Sequence, residues 1–353
     1  MSAAQWEIVS PASAMPSVEK AAGALIVSVS YAKKRRLGAA VECRACSKIG
    51  GAAMSRAVAF LAAGCVCISS AYAADLRARP GAPAPAAEIM EVPGEDIFGF
   101  TSATDVGKPG DKGVALESDG AVGTRVGRYR GLAQKLEFSR TFADNWSYAA
   151  SLFGAGSSLR GNGDFADRSG YNFDGMSIEV RHRLIERSLA NPFALTLAVE
   201  PRWSRMDGFS GRVAPAYGAE FKAQIDAPIA DRLFWGMNAT FGVSRGRDPL
   251  DRSWSTASES SLSTAVAYAF VEDKFWIGAE ARWEQSWSEA FFGRLEGQAL
   301  FFGPTIAFKP AANVTLNLVA LPQIAGKARG VSNALDLDNF ERAKFRVKLA
   351  VGF

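Results

Sequence analysis

From Ala343 to Phe353, hydrophobic and polar side chains take strict turns. Phe345, Val347, Leu349, Val351 and Phe353 fall on one parity, and Lys344, Arg346, Lys348, Ala350 and Gly352 on the other. A repeat of two marks a β-strand with one apolar and one polar face. The same alternation recurs backwards along the chain. It predicts strands over 311–325, 296–308, 274–287, 257–270, 233–244, 213–226, 193–204, 176–184, 146–152 and 132–142. A stretch at 113–124 alternates less well and completes a set of twelve.

The connections alternate too. Short ones are expected at 142–145, 186–191, 227–232, 271–274 and 309–312, and longer polar ones at 156–170, 205–212, 245–256, 288–295 and 326–339. Short turns at one end and long loops at the other suit the periplasmic and extracellular ends of a membrane barrel. Aromatic residues gather in two belts. One is near the short turns (Phe142, Trp146, Phe193, Trp235, Phe270, Phe275, Trp276, Phe308, Phe353) and one is toward the long loops (Tyr171, Trp203, Tyr217, Trp283, Trp287). A soluble sandwich or lipocalin-like barrel would share the alternation but point its apolar face inward. The expected strands, at about 13 residues, exceed the usual five or six of soluble sheets. The fold class read from the pattern is all-β: a transmembrane, antiparallel, up-and-down β-barrel of about twelve strands, over 113–353.

That orientation sends the polar parity into the lumen. The expected lumen charges are Glu179, Arg181, Arg183, Glu200, Arg202, Glu220, Lys222, Asp226, Glu280, Arg282, Glu284, Lys344, Arg346 and Lys348, with Lys135 and Glu137 beside them. Both signs occur on neighbouring strands. One reading is a salt-bridged interior that keeps the barrel round. The other is a narrow pore whose cationic stripe (Arg181, Arg183, Lys344, Arg346, Lys348) faces acids and favours small charged or zwitterionic solutes.

The front of the chain reads as an address. Met54-Ser-Arg56, the apolar run 57–68 and the small residues to Ala73 form a secretory signal peptide pattern over 54–73. Residues 1–53 then read as a mis-assigned N-terminal extension. Residues 74–112 read as a Pro/Ala-rich periplasmic tether, whose last part, 96–112, is a candidate plug or extra strand. The first 73 residues hold eight Lys/Arg and three acids, so the remainder carries 32 basic and 33 acidic groups. The net charge of +4 thus comes from the leader, and a nucleic-acid partner loses its support.

Candidate chemistry is sparse. All four cysteines (Cys43, Cys46, Cys65, Cys67) precede residue 68, and Cys43–Cys46 is a lone CxxC. The single histidine, His182, shares the lipid-facing parity. No catalytic residue, cofactor site or metal site is expected, and the chain is read as a non-enzyme.

Signal peptide, Pro/Ala tether, alternating strands and terminal Phe353 together resemble bacterial outer-membrane β-barrel proteins, in a porin-like form. The resemblance implies residence in the Gram-negative outer membrane among its lipids. It also implies that the terminal strand, through Phe345, Val347, Leu349, Val351 and Phe353, is read by barrel-assembly machinery. The function expected first is a passive channel for small polar or charged solutes. The alternatives are a closed barrel acting through its extracellular loops and, last, an outer-membrane hydrolase.

Overall fold

The computed structural model describes residues 92–94, 96–163 and 165–353; the expected extension, export signal and most of the tether lie outside the described residues. Twelve strands follow one another: β1 (Lys112–Val122), β2 (Arg128–Ala143), β3 (Trp146–Arg160), β4 (Arg168–Ile185), β5 (Ala194–Met206), β6 (Val213–Ala230), β7 (Leu233–Arg247), β8 (Trp254–Val271), β9 (Phe275–Ser288), β10 (Arg294–Ala311), β11 (Val314–Ala328) and β12 (Ala343–Gly352). Sequential neighbours pair antiparallel. β1 closes on β12 from Gly113↔Gly352 to Val122↔Ala343. Closure removes every sheet edge, so backbone groups along the wall are satisfied without water. Among the described residues no helix is long and apolar enough to cross a membrane.

The apolar parity faces out. Phe345, Val347 and Leu349 are 42%, 44% and 42% exposed, and Leu136, Leu152, Ile178, Phe221 and Phe302 are exposed likewise. The ionic parity turns inward, where Arg346 meets Asp119 at 2.7 Å and Lys348 meets Asp96 at 2.6 Å. A soluble barrel has the reverse arrangement; a greasy outer wall and a charged lumen belong in a bilayer.

One end carries the turns 144–145, 186–193, 231–232, 272–274 and 312–313, together with both ends of the barrel. Asn145, Arg232 and Asp273 adopt φ of 62°, 64° and 57° there, the left-handed geometry that tight hairpins need. The other end carries 123–127, 161–167, 207–212, 248–253, 289–293 and 329–342. Most of these loops are shorter than the sequence pattern suggests. Residues 156–160 and 168–170, for example, continue β3 and β4. Backbone pairing persists past the point where the outward side chains cease to be apolar. The barrel begins at Lys112, one residue before the expected boundary.

Residues 96–106 form no strand. They cross the lumen near the short-turn end as an irregular strap. Ile97 and Phe98, each 1% exposed, pack with Val92, Ala103, Phe234, Ala265, Ala267, Ala269, Trp276 and Ala307. Burying two such side chains contributes about 1.5–3 kcal/mol each. Trp276 therefore does not belong to the lipid-facing aromatic belt. It is 1% exposed on the inward parity of β9, with the strap packed against it.

Candidate functional site

The strap is fastened to strand after strand by wall side chains that read its backbone. Asn317 on β11 donates to Phe98 O (2.7 Å) and Asp96 O (3.2 Å). Glu280 on β9 accepts from Phe100 N and from Thr101 Oγ1, both at 2.8 Å. Ser263 Oγ on β8 hydrogen-bonds with Thr101 Oγ1 (2.9 Å). Asn238 on β7, in the amide orientation that satisfies both groups, donates to Ser102 O and accepts from Ser102 N. Asp226 on β6 accepts from Thr104 N (2.6 Å) and Oγ1 (3.0 Å), and also holds Arg187. Thr196 on β5 donates to Thr104 O, and Arg181 on β4 donates to Ala103 O. Thr141 Oγ1 on β2 donates to Val106 O. Asp226 and Glu280, both fully buried, do not face open lumen as expected; the strap occupies them.

Above the strap lies a chamber of about 290 Å³. Its floor is Phe100 and Ser102, and Phe340, Asp207 and Gly208 from the long loops also line it. Two guanidiniums flank Phe100, Arg346 at 4.2 Å and Arg282 at 5.7 Å from its ring centre. Cation–π contacts of this kind hold the ring in place.

The chamber wall has two charge clusters. On β4–β6, Lys222 sits among three carboxylates: Glu200 (2.5 Å), Glu179 (2.6 Å) and Glu220 (3.2 Å). Arg202 pairs there with Asp174 (2.8 Å). On β12, β1 and β9, Arg346 grips Asp119 and Glu117, while Arg282 and Lys344 share Glu284 at 2.5 and 2.6 Å. Lys135 and Glu137 on β2 pair with each other at 2.5 Å. Lys348 reaches the strap at Asp96. The expected cationic stripe is therefore two separate groups, since β4 and β12 are not neighbours. Arg183 lies lower, at the short-turn mouth, between Asn145, Asp105 and Glu186.

Sequence reasoning missed Glu117, Asp119 and Asp174. The first two lie on β1, whose outward face fades to Ser118 and Gly120, so its parity is weak. Asp174 is hidden by a bulge between Phe173 and Gly175 that reverses the parity of β4. His182 is on the outer wall, its ring stacked 4.0 Å from Trp146. Among the described residues no cluster of His, Cys, Asp and Glu could hold a metal ion.

The long-loop end is partly roofed. Phe209 of the 207–212 loop packs on Tyr129 and Leu159. Phe340 of the 329–342 loop packs on Phe301 and Leu321. Gln323 fixes that second loop by donating to Asp336 O (3.0 Å) and Glu341 O (3.2 Å).

Closed wall, outward apolar belt and ionic lumen define a transmembrane β-barrel of the bacterial outer-membrane type. Within that class the chain belongs to a family of unknown function, DUF6662, whose model matches residues 90–353. No curated protein matches the sequence. Among solved structures the chain is similar to an outer-membrane channel from Pseudomonas putida F1 (11% identity, 71% of this chain and 98% of that one, TM-score 0.49). It is also similar to the β domain of the Bordetella autotransporter BrkA (13%, 70% and 100%, TM-score 0.45) and to the NanC porin (13%, 67% and 98%, TM-score 0.40).

Proposed function

We propose that this protein is an outer-membrane channel for small charged or zwitterionic solutes, closed in the present conformation by its own strap. In this reading the chain is exported through its signal peptide and inserted with the short turns toward the periplasm. The observation that carries the reading is the chamber of about 290 Å³ lined by two separate ionic clusters. A chamber of that size fits a molecule with few non-hydrogen atoms. The carboxylate-rich cluster around Lys222 suits an ammonium group, and the cluster of Arg346, Arg282 and Lys344, balanced by three carboxylates, offers guanidinium and ammonium donors to a carboxylate. Passage requires the strap to leave the floor.

The packed strap also supports a second reading, a closed barrel that works through its loops. Liposome swelling separates the two. The full chain and a chain lacking residues 92–106 are reconstituted and exposed to a zwitterionic amino acid or a neutral sugar of equal size. A channel swells faster in the strap-less form, with the zwitterion ahead. A closed barrel swells in neither form.

A further inference from the structure

Arginines stand on the outer wall at the long-loop rim. Arg130 shares the parity of Leu132 and Leu136, Arg160 that of Leu152, Arg205 that of Val199 and Trp203, and Arg245 that of Phe241. All four are exposed, as is Arg128, which lies directly across the ladder from Arg160. Their inward neighbours Tyr129 and Leu159 are buried in the mouth.

Strand register fixes their depth. Trp203, Tyr217 and Arg245 form one row across β5, β6 and β7. Tyr171, Gly156 and Leu132 form another across β4, β3 and β2, and Arg130 is the next outward-facing position toward the loops. Arg245 also lies 5.6 Å from the Trp254 ring. Outward Trp and Tyr of a barrel sit at the head-group level of the bilayer, so the guanidiniums sit there too.

These cations have no carboxylate partner among the described residues. Among the described residues Arg128, Arg130, Arg160, Arg205 and Arg245 form no ion pair, while Arg125, Arg294 and Arg329 at the same end do. Among the described residues, the carboxylates of the adjoining loops accept hydrogen bonds from their own turns. Asp167 accepts from Gly161 N (2.7 Å), Asp248 from Leu250 N (2.6 Å), Asp251 from Ser253 N (2.8 Å) and Asp207 from Ser210 N (2.6 Å). Like charges facing each other across a ladder, as Arg128 and Arg160 do, repel. A planar guanidinium at head-group depth matches a phosphate by two parallel hydrogen bonds.

We propose that this arc, running from β2 to β7, binds the phosphate groups of lipids in the leaflet surrounding the long-loop end. The inference rests on the membrane-barrel reading but not on conduction.

The test uses the full chain in nanodiscs of phosphatidylcholine, with or without a minority of phosphatidic acid. Unfolding is followed by heat-modifiable gel mobility, and lipid retention by native mass spectrometry. Phosphatidic acid should raise the unfolding temperature, and the rise should shrink with salt. Replacing all five arginines by glutamine should lower phosphatidic-acid retention at least tenfold, since each basic group near a charged leaflet contributes about fivefold. The five Arg→Lys changes, which keep charge but lose the fork, should fall between. K112Q/R140Q, which removes two cations at the opposite rim, should lower retention far less than the five-glutamine change. The proposal is overturned if the five-glutamine variant keeps full retention, if K112Q/R140Q loses as much, or if inorganic phosphate over phosphatidylcholine gives the same rise. A barrel that conducts but ignores phosphatidic acid sinks this inference alone, and one that binds it without conducting sinks only the channel.

Discussion

Glu280 holds Thr101 at 2.8 Å, joining the middle of the barrel wall to the middle of a strap 179 positions earlier in the chain. The same carboxylate takes Phe100 N. Leaving a buried amide without its acceptor costs about 1–3 kcal/mol. E280A should therefore raise the population of the undocked strap about 5- to 150-fold. Hydrogen exchange at Phe100 and Thr101 should quicken by that factor while the β9–β10 ladder stays protected. Unchanged exchange at Phe100 would show that Glu280 does not hold the strap.

Gly99 tests the closeness of the fit. A Cβ built there would lie 2.5 Å from Glu280 Oε2 and 2.8 Å from Val319 Cβ. G99V should expel the strap without touching the wall. The expected outcome is a barrel with normal heat-modifiable mobility but new protease cleavage within residues 96–106. Protection equal to the parent would contradict the packing described.

Lys222 is the hub of the acidic cluster. Removing it leaves Glu179, Glu200 and Glu220 without their ammonium, and breaking a buried pair costs about 3–5 kcal/mol. K222M should unfold at a lower temperature. If ions pass the chamber, its reversal potential in a salt gradient should also shift toward cation selectivity. A shift toward anions would mean that these carboxylates do not face the path.

Glu341 couples the 329–342 loop to pH. Burial pushes its carboxyl up to about 7, against Lys344 at 3.6 Å, and Glu284 adds to the rise. The folded loop keeps a proton that an exposed glutamate gives up near 4.5. The stability this proton confers is fully present below pH 4.5 and is lost as pH rises through 7. Proteolysis within 329–340 should be slow at pH 5 and faster at pH 8, and E341Q should remain slow at both. A pH-independent parent would remove this role.

The wall of the barrel was legible because a bilayer outside and ions inside impose a repeat of two on nearly every strand. Val347 and Arg346 announce their sides without any help from neighbours. The strap was legible only as one of two options, a plug or an extra strand. Ile97 to Thr101 is a short apolar run that suits a strand as well as a plug, and its partners lie more than a hundred residues away at Ser263, Glu280 and Asn317. The position of Trp276 follows from the same gap, because an inward tryptophan needs a cover that only the strap supplies. Asp174 was concealed by local geometry, the β4 bulge, which a strict repeat cannot register.

A reversible lock on the strap gives the most direct measurement. Thr101 Oγ1 and Ser263 Oγ lie 2.9 Å apart, so T101C/S263C, with the four native cysteines changed to serine, places a disulfide between strap and wall. Single-channel current is recorded in a planar bilayer before and after reduction. The account predicts no conductance steps in the oxidised form and stepwise openings once the bond is reduced. Identical steps in both states, or none in either, would contradict it.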